Sequence, residues 1–183
     1  MKRLAFLVLF LASCAYSQYT TTISGGLALG FEKCHTNPGV FASIETGVKL
    51  HKYFQIGGHI EYGWLTIEKD FLGEYVDKGG YHVFDIGVVP KLCLPLNEDV
   101  SFTFEVDPAY TLFIAYIKSA DFMSAGSGSD AMSGFILTYC FGISINSFYM
   151  AYKIKSPFVK TKYSDELIDF DMMSISVGFK VGN

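Results

Sequence analysis

A strict alternation of apolar residues with small or polar ones is the feature that most limits how this chain folds. In the stretch SFTFEVDPAY, every second residue is apolar, namely Phe102, Phe104, Val106, Pro108 and Tyr110. Small and acidic residues lie between them, among them Glu105 and Asp107. Because successive side chains of a β-strand point to opposite faces, this period of two predicts a strand with one apolar face.

Seven further stretches repeat the pattern, so the sequence predicts eight strands. They are Thr20 to Phe31, Val40 to Leu50, Tyr53 to Ile67, Tyr81 to Leu94, Val100 to Ile117, Met132 to Ile145, Phe148 to Ser156 and Phe170 to Val181. Most of their apolar sets extend over about nine to eleven residues, the length of a tilted strand that crosses a bilayer. No repeat or linker indicates a second domain.

The apolar content is high, but it is not arranged in a long helix. Half of the residues are hydrophobic, and the mean hydropathy is +0.30. Beyond the N-terminus the longest mainly apolar run is Tyr110 to Ile117. This run is much shorter than the roughly 20 residues of a membrane-spanning helix. If this part of the chain meets lipid, it does so as strands.

The N-terminus has the three-part layout of a secretory signal. Two basic residues precede an apolar run, and small residues follow. We therefore expect residues 1–17 to be a cleaved signal peptide and residues 18–183 to form one barrel domain. The segment Leu11 to Cys14 also resembles a lipobox, so lipidation of Cys14 stays an alternative.

The predicted connections alternate in length. Those after the second, fourth and sixth strands are tight, namely His51-Lys52, Pro95 to Asp99 and Asn146-Ser147. Those after the first, third, fifth and seventh strands are long and polar, namely Glu32 to Gly39, Glu68 to Gly80, Lys118 to Ala131 and Pro157 to Asp169. A barrel with short turns at one end and long connections at the other is typical of bacterial outer membranes.

The second face of the predicted strands is mostly small, with Gly, Ala or Ser at many positions. The crowded interior of an eight-stranded barrel requires small residues, because its side chains fill the space. The larger residues of this face are ionisable and of both signs. We predict that they form a structural network of paired charges inside the barrel. Its members are Glu45, Lys49, His59, Glu61, Asp85, Lys91, Glu105, Asp107, Lys153, Lys155 and Lys180.

Charge and cysteine content exclude some classes of partner. After removal of the signal, twelve lysines, no arginine and eighteen acidic residues give a net charge of −6. Nucleic-acid surfaces use arginine forks and a basic face, so we exclude a nucleic-acid partner. The cysteines Cys34, Cys93 and Cys140 are odd in number and lack metal-ligand spacing. We expect unpaired thiols and no metal or other cofactor.

No group of residues indicates catalysis. The strongest candidate is His82 with Asp85, near one end of the fourth predicted strand. A hydrolase needs a nucleophile, a histidine and an acid that converge, and this pair alone does not supply them. A solvated His82 is the simpler interpretation, and we assign no catalytic, cofactor-binding or metal-binding residue.

With these features the chain resembles the small eight-stranded outer-membrane β-barrels of OmpA-like and OmpX-like type. The most family-like phrases are GVVPKLCLPL, from Gly87, and ISVGFKV, from Ile175. The resemblance implies an all-β fold, an eight-stranded antiparallel up-and-down transmembrane β-barrel in the outer membrane of a Gram-negative bacterium. It also implies outer-membrane lipid and the barrel-assembly machinery as partners.

Such a pattern identifies the architecture of the chain but gives little information on its activity. The leading hypothesis is a non-enzymatic barrel with a filled, non-conducting interior. This barrel would stabilise the envelope or bind an extracellular ligand through its long connections. Three alternatives stay open: a small porin-like pore, a barrel enzyme that modifies outer-membrane lipid or peptides, and a secreted soluble lipocalin-like carrier with the apolar set inside.

Overall fold

The computed structural model describes residues 19–29, 36–67, 76–119, 127–161, 164–168 and 172–181. The regular secondary structure in these ranges is β-sheet. The strands are β1 Tyr19–Leu29, β2 Thr36–His51, β3 Phe54–Ile67, β4 Val76–Pro95, β5 Val100–Ser119, β6 Ser127–Ile145, β7 Phe148–Thr161, β8 Ser164–Ile168 and β9 Met172–Val181. No helix in the described ranges is long and apolar enough to span a membrane.

The strands form one antiparallel sheet that closes on itself. From β1 to β7, each strand pairs with the next along the chain. Strand β9 pairs with β7 on one side and with β1 on the other. The closed wall therefore has eight strands, and the predicted eight-stranded antiparallel up-and-down barrel is confirmed. Strand β8, which the sequence did not predict, pairs with the part of β7 that extends past β9.

Three tight turns connect the strands at one end, which we call the tight-turn end; the opposite end is the long-connection end. Between β4 and β5, Asn97 Oδ1 accepts hydrogen bonds from the backbone N–H groups of Asp99 and Val100 at 2.9 and 2.8 Å. Between β6 and β7, Asn146 has φ 53°. Asparagine tolerates this left-handed conformation better than most residues, so its presence permits the short turn.

The outer face of the wall is apolar. Ile60 is 61% exposed and Phe135 is 67% exposed, although both are large hydrophobic residues. The exposed apolar side chains come from all eight strands of the wall, as in Ile23, Ile44, Ile60, Ile86, Phe104, Phe135, Met150 and Ile175. A continuous apolar face of this kind suits hydrocarbon as its solvent, whereas a water-soluble barrel would bury it.

Several strands are longer than the sequence predicted. Strands β4 and β5 have 20 residues each, and β6 has 19. Residues 76–80 and 127–131, predicted as connections, belong to strands. Alternation identifies only the part of a strand whose two faces meet different surroundings, while antiparallel pairing continues beyond that part through backbone hydrogen bonds. The predicted strand ends at Phe31 and Phe170 lie outside the described residues.

Candidate functional site

A buried lysine binds two carboxylates in the half of the interior nearer the tight-turn end. Lys91 on β4 is 1% exposed. Its Nζ lies 2.5 Å from Glu45 Oε1 on β2 and 2.9 Å from Glu105 Oε1 on β5. We call these three residues the Lys91 cluster. A lysine is almost never buried to this extent unless it is paired, so the two carboxylates are what make its burial tolerable.

Tyr149 on β7 packs against the Lys91 cluster. Its hydroxyl donates to Glu105 Oε1 at 3.1 Å and lies 3.3 Å from the Cys140 sulfur. Lys91 Nζ and Lys180 Nζ each lie 5.6 Å from the centre of the Tyr149 ring. Cations at this distance from an aromatic ring are attracted by its electrons. The ring therefore fills the interior near the tight-turn end and contacts charged groups on several sides.

A second group of charges lies nearer the long-connection end. Lys153 Nζ on β7 donates to Glu61 Oε2 on β3 at 2.9 Å. Lys155, also on β7, donates to Glu61 Oε1 and to Asp85 Oδ2 on β4, the latter at 2.6 Å. We call these four residues the Lys155 cluster. Two lysines face two carboxylates here, so the cluster is electrically balanced when all four are ionised.

His59 and Asp107 complete the charged interior. His59 Nδ1 on β3 lies 3.1 Å from Asp107 Oδ2 on β5, and both residues are buried. A cavity of about 20 Å³ lies beside them and is lined mainly by polar residues. A second cavity, of about 10 Å³, lies among Phe41, Leu65 and neighbouring side chains. Volumes of this size hold about one water molecule each.

The structure places the predicted network residues as follows. His59, Glu61, Asp85, Lys91, Glu105, Asp107 and Lys155 are buried, and Glu45, Lys153 and Lys180 are partly buried. Lys49 departs from the prediction, because its side chain is exposed. Strand β2 ends only two residues later, at His51, and its pairing with β3 is irregular between Lys49 and His51. At this position the interior face already opens to solvent.

An apolar cluster that the sequence did not predict lies inside the long-connection end. It consists of Ala28, Phe41, Leu65, Val83, Phe113 and Met172 from six strands. On β3 and β4, Leu65 and Val83 lie closer to that end than Glu61 and Asp85 of the Lys155 cluster do. Phe113 could not be assigned from its neighbours, because the residues around it, from Leu112 to Ile117, are apolar on both faces. The interior is therefore apolar at one end and ionic in the middle.

The pair His82 and Asp85 does not form a site. The Asp85 side chain lies inside the barrel and binds Lys155. His82 lies on the outer face, where its Nδ1 is 2.8 Å from the hydroxyl of Tyr62. Two residues an odd number of positions apart on a strand point to opposite faces, which explains the separation. Within the described part of the chain, no three His, Cys, Asp or Glu residues lie close enough to hold a metal ion.

The fold is similar to that of solved outer-membrane barrels. Ail, the attachment invasion locus protein of Yersinia pestis, in complex with the heparin analogue sucrose octasulfate, has a TM-score of 0.53 and 12% sequence identity. The match covers 90% of this chain and 99% of Ail. Neisserial surface protein A has a TM-score of 0.55 and 12% identity, covering 90% of this chain and 96% of its own.

The N-terminal β-barrel domain of Pseudomonas aeruginosa OprF gives a similar result. Its TM-score is 0.52 at 11% identity, with coverage of 90% of this chain and 99% of that domain. No protein-family model matches the sequence, and no curated protein matches it. At these identities the likeness concerns the fold, which is that of bacterial outer-membrane β-barrels.

Proposed function

We propose that the protein is a non-enzymatic integral outer-membrane barrel with a filled, non-conducting interior. The observation that carries this proposal is the pairing of an apolar outer face with a charged, ion-paired inner one. Exposed residues such as Ile60 and Phe135 would be solvated by lipid chains. The Lys91 and Lys155 clusters would hold the wall together from inside.

The same geometry argues against a soluble carrier and against a pore. A lipocalin-like carrier keeps its apolar set inside to hold its ligand, whereas here the middle of the interior is ionic. A pore needs a continuous water-filled path, and the two interior cavities lined by described residues, of about 10 and 20 Å³, are far too small for one. Eight strands are also the number at which side chains alone fill a barrel.

The role of such a barrel would be to stabilise the envelope or to present its long connections to an extracellular ligand. A rigid wall is a suitable support for binding loops, because loops vary without disturbing it. The barrel-assembly machinery and outer-membrane lipid are the other partners that this proposal requires. Ail was solved with a heparin analogue, but the excess of acidic over basic residues in this chain gives no reason to expect a polyanion at its connections.

Two measurements test the proposal together. The first is the partition of the expressed protein between outer-membrane and periplasmic fractions of a Gram-negative host, where we expect the membrane fraction. The second is the conductance of planar bilayers that contain the refolded protein, with a large porin as positive control. We expect no stable channel events. Recovery in the soluble periplasmic fraction would contradict membrane insertion, and steady ion-selective conductance would contradict the filled interior.

A further inference from the structure

The carboxylates that point into the described interior differ in their cationic partners. Four of them contact a lysine, namely Glu45, Glu61, Asp85 and Glu105. The fifth is Asp107, whose ion-pair partner among the described residues is His59. A buried carboxylate is tolerated only when its charge is paired, and a histidine is a cation only while both ring nitrogens hold a proton. Compensation of Asp107 therefore depends on a proton.

His59 and Asp107 lie close together but without the alignment of a hydrogen bond. His59 Nδ1 lies 3.1 Å from Asp107 Oδ2, and the two residues are only 8% and 7% exposed. Neither His59 Nδ1 nor Asp107 Oδ1 has a hydrogen-bond partner among the described residues. A misaligned contact contributes little to a neutral imidazole, whereas opposite charges attract each other in any orientation. The contact therefore stabilises the barrel mainly when the pair holds a proton.

A glycine on the intervening strand allows the two residues to meet. His59 is on β3 and Asp107 is on β5, and the residue of β4 in register with His59 is Gly87. A Cβ at Gly87 would lie 2.7 Å from Asp107 Oδ1 and 2.6 Å from the Cβ of Ala109. The missing side chain leaves the space through which Asp107 reaches His59 across β4. The contact of the pair therefore depends on this glycine.

The charged groups nearest the pair already have partners of opposite charge. Glu45, the register partner of His59 on β2, binds Lys91, and Lys153 beside the same cavity binds Glu61. The described interior holds five buried or partly buried carboxylates and four such lysines, so His59 is the base that supplies a fifth positive charge. The other titratable groups that point into it are Glu61 on β3, Asp85, Lys91 and Cys93 on β4, Glu105 on β5, Cys140 on β6, Tyr149 and Lys155 on β7 and Lys180 on β9.

We propose that the His59–Asp107 pair holds one proton in the folded barrel at neutral pH, and that the barrel loses stability when this proton leaves. The proton is assigned to the pair as a unit, because a proton on either partner removes the uncompensated buried charge. The pair connects β3 with β5 in mildly acidic and neutral surroundings, and the connection weakens in alkaline ones. This inference concerns the interior of the barrel and does not depend on the proposed insertion in a membrane.

The direction of the pH effect follows from the protons bound by each state. In an unfolded chain a histidine loses its proton near about pH 6.5, and an aspartate is ionised above about pH 4. Above about pH 7 the folded pair therefore binds one proton more than the unfolded chain, and rising pH favours unfolding. Below about pH 6 both states bind this proton, so the contribution of the pair is constant there. We expect the equilibrium constant of unfolding to rise at least about tenfold from pH 6 to pH 8.

Unfolding of the refolded protein by urea over this pH range tests the proposal. His59→Gln and Asp107→Asn should each remove the pH dependence, because neither variant retains a pair that takes up a proton. His51→Gln, at an exposed position, is the control and should keep the dependence of the unaltered protein. An unaltered protein whose unfolding does not change with pH would overturn the proposal. Retention of the dependence in His59→Gln, with its loss in Glu45→Gln, would also overturn it, because the proton would then be on Glu45.

A second measurement needs no variant of the buried pair to fold. Nuclear magnetic resonance of the unaltered protein, labelled with ¹³C and ¹⁵N in histidine and aspartate, reports the protonation of both side chains directly. At neutral to slightly alkaline pH we expect a proton on the His59–Asp107 pair, whereas the exposed His51 ring is neutral. A neutral His59 ring beside an ionised Asp107 carboxylate under these conditions would overturn the proposal.

Discussion

Lys153 on β7 and Glu61 on β3 form an ion pair of 2.9 Å across the full width of the barrel. In the closed order β1 to β7 and then β9, these two strands are four positions apart in either direction. The pair therefore connects opposite walls, which no backbone hydrogen bond of the sheet does. Lys155, two residues further along β7, binds the same carboxylate and Asp85. The Lys155 cluster therefore links opposite strands of the wall through the interior, and we call this role of the cluster the brace.

We predict that Lys155→Met destabilises the barrel by about 3–5 kcal/mol. The substitution leaves Asp85 buried without its cation, and an uncompensated buried charge costs about this much. The measurement is the free energy of unfolding by urea in lipid bilayers or micelles. Lys52→Met, in an exposed turn, is the control and should change the free energy by less than about 1 kcal/mol.

A double variant distinguishes lost pairing from lost packing. Lys155→Met together with Asp85→Asn removes both charges of the pair, so it should recover part of the stability that Lys155→Met alone loses. If the single and double variants lose the same free energy of unfolding, the charge pairing of Lys155 with Asp85 does not stabilise the barrel. The brace interpretation would then be wrong.

Tyr149→Phe should cost about 1–3 kcal/mol of unfolding free energy. The ring stays in place, but Glu105 loses the hydroxyl that donates to it at 3.1 Å, and an unsatisfied buried acceptor carries a penalty of this size. Tyr139→Phe, on the exposed outer face, is the matched control and should be close to neutral. The same urea titration serves for both variants, and equal effects would show that the Glu105 contact is not specific.

Gly142→Ala should also be destabilising, whereas Gly63→Ala should be tolerated. A Cβ at Gly142 would lie 2.5 Å from Thr103 Oγ1 and 2.8 Å from Tyr149 Cε2. Overpacking of this kind typically costs about 1–3 kcal/mol. A Cβ at Gly63 would lie 3.7 Å from that of Val83 and 3.8 Å from that of Phe41, which is ordinary contact. Unfolding midpoints of the two variants test the difference, and equal midpoints would mean that the interior near Tyr149 is loosely packed.

The sequence predicted the strands and most of their inner faces, because the alternation of apolar and polar residues follows the different surroundings of the two faces. It did not predict which charges meet. Lys155 and Asp85 are 70 positions apart, and their contact depends on how the strands are staggered around the barrel, which alternation does not specify. Tyr149 was missed for a different reason: the residues on each side of it, Phe148 and Met150, are apolar as well, so its face could not be read from polarity.

The ends of the strands were the second feature that the sequence did not predict correctly. Alternation stops where both faces meet the same surroundings, so the extensions of β4 and β6 and the short strand β8 showed no alternating pattern. Lys49 shows the same limit at the tight-turn end, where an inner position is exposed because the strand is about to turn. The apolar cluster of Phe41, Leu65 and Val83 lies in the interior beside residues of the same parity that are charged. A rule that assigns one polarity to the whole inner face cannot predict such a layered interior.

The two described cysteines allow a test of how closed the interior is. Cys140 is 1% exposed, while Cys93 is intermediate in exposure, near the tight-turn end of β4. In a Cys14→Ser/Cys34→Ser background, we expect a maleimide to modify Cys93 in the folded protein. Cys140 should react more slowly by roughly two orders of magnitude or more, because its exposure requires the barrel to open. Mass spectrometry of the time course, with Cys93→Ser and Cys140→Ser to assign each adduct, provides the measurement. In urea both thiols should react alike, and comparable rates in the folded barrel would mean that reagents pass through the interior, in contradiction to a filled core.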